Sequence, residues 1–319
     1  MANNPKTDAG VPSLSTARAR NDGDAFIPEP SDSFVETEEI HAICERALAY
    51  LEAGYPIHLA GASGIGKTTL AFHLAAKLGQ PAVLIHGNHE FGSSDLVGGN
   101  VGYKRSRVVD NYIHSVLKTS EEMKQMWVDN RLAKACREGY TLLYDEFNRS
   151  KAEANNILLS VFEEKILSIP DSGKGYIRVH PTFRAILTSN PDEYAGTQQT
   201  QDALLDRLIT IKLRSHDAEA ELAIAMERSQ IDMVRARLVV DVVRHVRGLD
   251  PTNAWPSIRS TVAICKVLAN TDRPMKAHDP FVSRVCEDIL LSGAAATASR
   301  EEYEKLRASL HKILEKVCG

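Results

Sequence analysis

The segment Gly61-Ala62-Ser63-Gly64-Ile65-Gly66-Lys67-Thr68 fits the pattern GxxxxGK[ST], with an apolar run ending at Ala60 before it and a helical pattern starting at Lys67. At average glycine content the pattern arises by chance in roughly one chain in a hundred of this length, and the strand-to-helix context lowers that further. The chemistry follows from the residue types. Glycines let backbone N–H groups curl around a phosphate, Lys67 brings a cation to the β- and γ-phosphates, and the Thr68 hydroxyl can complete a magnesium shell. The helix N-terminus adds partial positive charge, and Thr69 belongs to the same nucleotide-binding stretch.

A second signal follows downstream. Thr141-Leu142-Leu143-Tyr144-Asp145-Glu146 is an apolar strand that ends in two acids. Two acids at a strand end are commonplace alone; behind a phosphate loop they read as a Walker B element. Asp145 would hold Mg²⁺, largely through water, and Glu146 would polarise the attacking water as general base. Asn190, where the run FRAILTSN emerges, can orient that water against the γ-phosphate, the role called sensor 1; its plainer reading is an Asn-Pro turn. Arg207 in ALLDRL precedes a short final strand, where an arginine can reach a neighbouring subunit's nucleotide or pair with a nearby acid. Arg259, at the start of SIRSTVAICKVLA, is a candidate phosphate contact from above, or sensor 2. Arg149 in DEFNRS reads equally as a second subunit-crossing arginine or a solvated helix-start residue.

Around these positions the pattern sets a fold class. Apolar strands at GYPIHLAG, PAVLIH, TLLYD, FRAILTS and LITIKL are separated by helical stretches, including one expected around 120–138. They lack clean alternation, which implies an α/β parallel sheet covered on both faces. The stretch EEKILSIPDSGKGYIRVHPTF suggests an inserted β-hairpin. Past Arg214 the chain reads as helices only. The expected organisation is a flexible N-terminal arm at 1–33, an α/β domain at 34–214 and an all-helical lid at 215–319, and a length of 319 residues suits two domains of ordinary size.

Composition narrows the partners. Lys+Arg 38 against Asp+Glu 42 gives a net charge of −4, so no global positive field draws the chain to nucleic acid. The run Lys104-Arg105-Ser106-Arg107 reads as a solvated loop. The five cysteines are scattered without CxxC pairs, which points to free thiols in a reducing compartment. His86, His89 and Glu90 do not form HExxH, which argues against metal binding there. No signal-peptide core or membrane-spanning apolar run is found, and a cytoplasmic location is expected.

The phosphate loop, Asp-Glu pair, strand-end Asn, LLDR and lid arginine, in this order before a helical lid, resemble an AAA+ ATPase. DEFNRS, the hairpin after VFEEK and TSNPDEYAGTQQTQDALLDRL are similar to the MoxR branch of that class. GNHEFGSSDLVGG, VGYKRSRVVDNYIHSVLK, DEFNRSKAEANNILLSVFEE and NPDEYAGTQQTQDALLDRL more narrowly resemble the gas vesicle protein N (GvpN) family over about 34–270. That resemblance implies ATP and Mg²⁺ as cofactors and a homo-oligomeric ring, a hexamer. It also implies a role in assembling gas vesicles, the hollow protein shells that give some prokaryotes buoyancy, by remodelling or chaperoning shell proteins alongside other assembly factors. Association with the vesicles would follow. Two other readings remain at this point: a nucleotide-regulated scaffold with little turnover, which Glu146 argues against, and a DNA-acting motor, which the net charge and lack of a DNA-binding module argue against.

Overall fold

The computed structural model describes residues 24–31, 33–110, 118–169, 175–190, 202–249, 256–293 and 298–319, with the backbone alone described over 100–110 and 118–127. In chain order the elements are β1 (Ala25–Phe26), α1 (Glu38–Glu52), β2 (Ile57–Ala60), α2 (Lys67–Leu78), β3 (Ala82–His86), α3 (Ser93–Val97), β4 (Gly98–Asp110), β5 (Lys118–Asp129), α4 (Arg131–Glu138), β6 (Thr141–Asp145), α5 (Ala152–Asn155), α6 (Ile157–Phe162), β7 (Ile166–Ser168), β8 (Tyr176–Arg178), β9 (Arg184–Ser189), α7 (Asp202–Leu205) and β10 (Ile209–Lys212). Helices follow: α8 (Ala218–Ser229), α9 (Met233–Arg247), α10 (Ile258–Thr271), α11 (Pro280–Leu290) and α12 (Arg300–Cys318).

The main sheet has six strands in the order β1-β3-β6-β9-β2-β10. From β3 to β10 every pairing is parallel, with Leu143 beside Leu84 and Ile186, and Leu59 beside Thr188 and Ile211. Both faces are covered, which explains the missing alternation. Leu142 and Tyr144 point into a core with Leu132, Leu158 and Leu187, while their neighbour Leu143 joins Leu51, Leu59 and Leu74 on the other side. The phosphate loop and the Walker B acids thus leave adjoining parts of one sheet at its carboxyl edge, where ligand sites form in open α/β sheets.

The structure departs from the sequence expectations in three places. Ala25 and Phe26, expected within the flexible arm, pair antiparallel with Val83 and Ala82 at the sheet edge. Ala25 is buried, and Phe26 lies 5.8 Å from the ring of Phe72. Two well-placed apolar residues sufficed to anchor a segment whose average composition favoured disorder; residues 1–23 lie outside the described residues. The helix expected around 120–138 is instead strand β5 followed by the shorter α4. Met123, Met126 and Trp127 recur at helical spacing, but β5 pairs antiparallel with β4, with Arg107 in register with Glu121, and this long-range pairing overrides the local period. The basic run 104–107 therefore lies on strand β4 rather than in a loop. The expected hairpin is present as β7–β8, with its tip at 170–174 outside the described residues.

The C-terminal helices are well punctuated. Asp217, Asp232, Ser257, Asp279 and Ser299 each cap a helix N-terminus through a side-chain oxygen. Their apolar faces share a separate core that includes Leu222, Val239, Val243, Ile264, Leu268 and Leu310. Among the described residues no helix is long and apolar enough to cross a membrane.

Among the buried polar residues that the sequence did not flag, His58 has the largest consequence for pH. His58, on β2, is 4% exposed. Its Nε2 meets Ser189 Oγ at 2.8 Å, its Nδ1 meets Thr210 Oγ1 at 3.0 Å, and its ring stands edge-on to Phe147. Burial pushes its pKa down from 6.5 to about 4. Between those values the unfolded chain binds a proton that the folded chain refuses, so stability is complete above pH 6.5 and falls as pH drops toward 4. The gap corresponds to about 3 kcal/mol. Urea unfolding at pH 7 and pH 4.5 should therefore show a steeper acid loss in the wild type than in His58→Gln, and parallel losses would clear His58 of this role.

Candidate functional site

At the end of β2 the chain turns through Gly61–Gly66 before α2 begins. Gly64 (φ 80°) and Gly66 (φ 95°) adopt the left-handed conformation that side chains disfavour. Gly66 is the N-cap of α2 and no side chain caps the first turn, so those N–H groups face the loop. Lys67 is buried and its Nζ donates to the carbonyls of Gly61 and Ala62 at 2.8 Å each. The start of α10 sits directly against the loop: a Cβ on Gly64 would lie 2.6 Å from Ser257, the cap of α10.

Thr68 and Asp145 meet. The Thr68 hydroxyl donates to Asp145 Oδ1 at 2.8 Å, and Thr188 on the adjoining strand donates to the same oxygen at 2.6 Å. Burial pushes the Asp145 pKa up, but hydrogen bonds from His86, Thr188 and Thr68 outweigh it, and the net shift is downward. The carboxylate therefore stays ionised. A hydroxyl and a carboxylate oxygen in contact at the foot of the phosphate loop form an oxygen-only set that fits Mg²⁺, a hard cation that keeps several waters.

Glu146 stands next to it in an unusual backbone conformation, with φ 53°. Its N–H donates to the Thr188 hydroxyl at 3.0 Å, so one threonine holds both acids. Its Oε2 lies 2.7 Å from Arg149 Nη1. The turn also constrains its neighbour: a Cβ on Gly87 would lie 1.9 Å from the Glu146 carbonyl oxygen, so only glycine fits there.

Asn190 is buried at the end of β9, and its carbonyl accepts a hydrogen bond from Asn148 Nδ2 at 3.1 Å. The preceding Ser189 carbonyl accepts from Gly61 N–H at 3.4 Å, which seats Asn190 between the phosphate loop and the acids. Arg207 lies elsewhere. Its Nε donates to Glu163 at 2.7 Å and its Nη1 to the Ala203 carbonyl, and it is not part of the cleft wall. His86 Nδ1 is 3.6 Å from Asp145 Oδ2, while His89 and Glu90 join no metal-ligand cluster among the described residues.

The cleft between the phosphate loop and the C-terminal helices is lined by Gly64, Lys67, Thr68 and Glu146 on one side and by Arg259 on the other. Arg228 and Lys266 also line it. Sequence reasoning missed both, because a basic residue on an amphipathic helix ordinarily reads as solvated. Beside the cleft an apolar pocket is walled by Phe34, Val35, Ile65, Leu213, Ile224 and Ile258. These residues come from distant segments, so the sequence alone did not show it.

Residues 56–208 match the AAA domain (dynein-related subfamily). The fold and the site thus define an AAA+ ATPase, which hydrolyses ATP with Mg²⁺. The chain is 44% identical over 313 residues to the gas vesicle ATPase GvpN of Ancylobacter aquaticus, covering 95% of this chain and 87% of that protein. It is 38% identical over 297 residues to the gas vesicle ATPase GvpN of Haloferax mediterranei, covering 92% and 83%. It belongs to the GvpN family. A Thermotoga maritima RuvB variant, 18% identical, shares the fold with a TM-score of 0.51 over 82% of this chain and 73% of that one.

Proposed function

We propose that ATP turnover by this chain drives gas vesicle assembly by remodelling or chaperoning shell proteins, together with other assembly factors, in the cytoplasm where vesicles grow. The observation that carries the proposal is the Thr68–Asp145 contact beneath a lidded cleft, in a chain related along nearly its whole length to gas vesicle ATPases. ATP supplies the phosphoanhydride bond and Mg²⁺ neutralises charge on its phosphates. In this reading the backbone of Gly61–Gly66 wraps the phosphates, with Ala62, Ser63 and Ile65 shaping the loop. Lys67 balances their charge, Thr69 and Arg259 complete the binding surface, and Thr68 and Asp145 hold the metal. Glu146 takes a proton from the attacking water while Asn190 orients it. The apolar pocket beside the loop takes the base. The helices of 215–319 act as a lid on the α/β domain of 34–214, and Arg207 serves a neighbouring subunit's site in a hexameric ring.

Small apolar shell subunits would aggregate through exposed hydrophobic surface if left free. A nucleotide-driven cycle of binding and release keeps addition to the shell ahead of aggregation, provided that affinity for the client differs between nucleotide states, since equal affinity shifts no population. A second reading, a nucleotide-regulated scaffold with little turnover, draws on the Glu146–Arg149 ion pair, which engages the carboxylate needed as base. In cells that express the full assembly set, Glu146→Gln in place of the wild type should leave few, small or absent vesicles while shell protein is still made. Vesicle counts and lengths by electron microscopy measure this. Normal vesicles in that variant would favour the scaffold.

A further inference from the structure

On the face of α2 away from the acids, a carboxylate oxygen of Glu36, the Cys44 sulfur and a ring nitrogen of His73 all lie within 4.8 Å of one another. They come from the turn before α1, the buried stripe of α1 and the middle of α2. Cys44 is 1% exposed. The His73 side chain is 11% exposed, and both its ring nitrogens are buried without a hydrogen-bond partner. Its Nε2 faces Glu36 Oε2 at 3.5 Å, and its plane is fixed by stacking on Phe34 at 3.9 Å between centroids. Glu36 is itself held, because Lys77 Nζ and His41 Nδ1 each lie 2.9 Å from its Oε1.

A buried thiol alone is an ordinary small hydrophobe. A buried imidazole whose Nδ1 has no partner and whose Nε2 meets only the long 3.5 Å contact to Glu36 is not ordinary, since buried polar atoms almost always find a partner and an ion is one way to supply it. The neutral imidazole is the form that ligates metals. We infer that Glu36, Cys44 and His73 form a binding site for a zinc-class divalent cation, with a fourth position open to water. The mixed sulfur, nitrogen and oxygen set suits such a borderline cation, whereas Mg²⁺ prefers oxygen ligands and would not compete. Ligand atoms around tetrahedral zinc lie about 3.3–3.7 Å apart, given bonds of about 2.0–2.3 Å, so small rotations about side-chain bonds close the site. On binding, Cys44 releases its proton to solvent and coordinates as thiolate; burial holds that thiol up at about 11, which weakens the affinity, as does the Lys77 charge. Partly exposed Glu36 provides the way in.

The site would tie the segment around Phe34 to α1 and α2. Phe34 and Val35 wall the apolar pocket beside the phosphate loop, and α2 carries Lys67 and Thr68 at its start. Metal occupancy would therefore stiffen the wall of the nucleotide site.

Cobalt(II) titration of the full chain tests the inference. One equivalent should give thiolate-to-cobalt charge transfer in the near ultraviolet and the intense visible bands of a four-coordinate site, and zinc should displace it. Cys44→Ser should abolish the charge-transfer band, and Cys44→Ser and His73→Gln should each weaken binding by more than the roughly 10- to 100-fold typical of outer-shell changes. Cys318→Ala should leave the spectrum unchanged. Should either variant misfold, zinc-edge X-ray absorption on the wild-type chain reads the ligands directly, with one sulfur at about 2.3 Å and the rest nitrogen or oxygen at about 2.0–2.2 Å expected. No stoichiometric binding, a shell without sulfur, or a spectrum that survives Cys44→Ser would overturn the site.

Discussion

Glu146→Gln is expected to lower ATP turnover about 10²- to 10⁴-fold, the range that general-base assistance supplies, while ATP affinity stays close to that of the wild type. The amide matches the carboxylate in size and can still accept the Arg149 hydrogen bond, so the left-handed turn at Glu146 has no new reason to shift. What it loses is the capacity to take a proton from water. Lys67→Ala should behave in the opposite way, because its ammonium balances phosphate charge and its loss removes affinity first. Nucleotide affinity by calorimetry and phosphate release under single-turnover conditions, applied to both variants, separate binding from chemistry. Turnover near the wild-type rate in Glu146→Gln would remove Glu146 from the mechanism.

The part of the site legible in the sequence is the part built from contiguous residues. Gly61 to Thr68 and Thr141 to Glu146 are each a strand with its following turn, and local spacing is enough to give their geometry. Thr188 was not legible, although it holds both acids: it sits inside an apolar strand and acquires its partners only when β9 is laid beside β6. His58 was hidden for the same reason, since its two partners lie on β9 and β10, the strands either side of β2. The fold shows the same division. Parallel strands were readable from apolar runs bounded by helices. The β4–β5 hairpin was not, because Met123, Met126 and Trp127 imitate a helical face and the pairing that decides otherwise comes from residues 98–110.

Arg207→Ala is expected to lower turnover about 10³- to 10⁵-fold, the contribution of an arginine supplied to a transferring phosphoryl group. That is about 4–7 kcal/mol of transition-state stabilisation. In the single chain Arg207 is held instead by Glu163 and the Ala203 carbonyl, with about a third of its side chain exposed. An exposed pair of this kind contributes about 0–1 kcal/mol, so a subunit contact could recruit the arginine at little expense. The two magnitudes separate the alternatives. If the ion pair with Glu163 is all that Arg207 does, the variant loses at most about 1 kcal/mol of stability and keeps its turnover. If it completes a neighbour's site, unfolding is barely changed while turnover collapses, and wild-type specific activity rises with protein concentration as subunits assemble. Mixing then gives the sharper test, because Arg207→Ala and Lys67→Ala each spoil a different side of a shared site. A mixed ring contains interfaces where the intact phosphate loop of one subunit faces the intact arginine of the next, and some turnover should return that neither variant shows alone. Absence of recovery in rings shown to contain both variants would shift the role to Arg149, which already touches Glu146, or to a site complete within one chain.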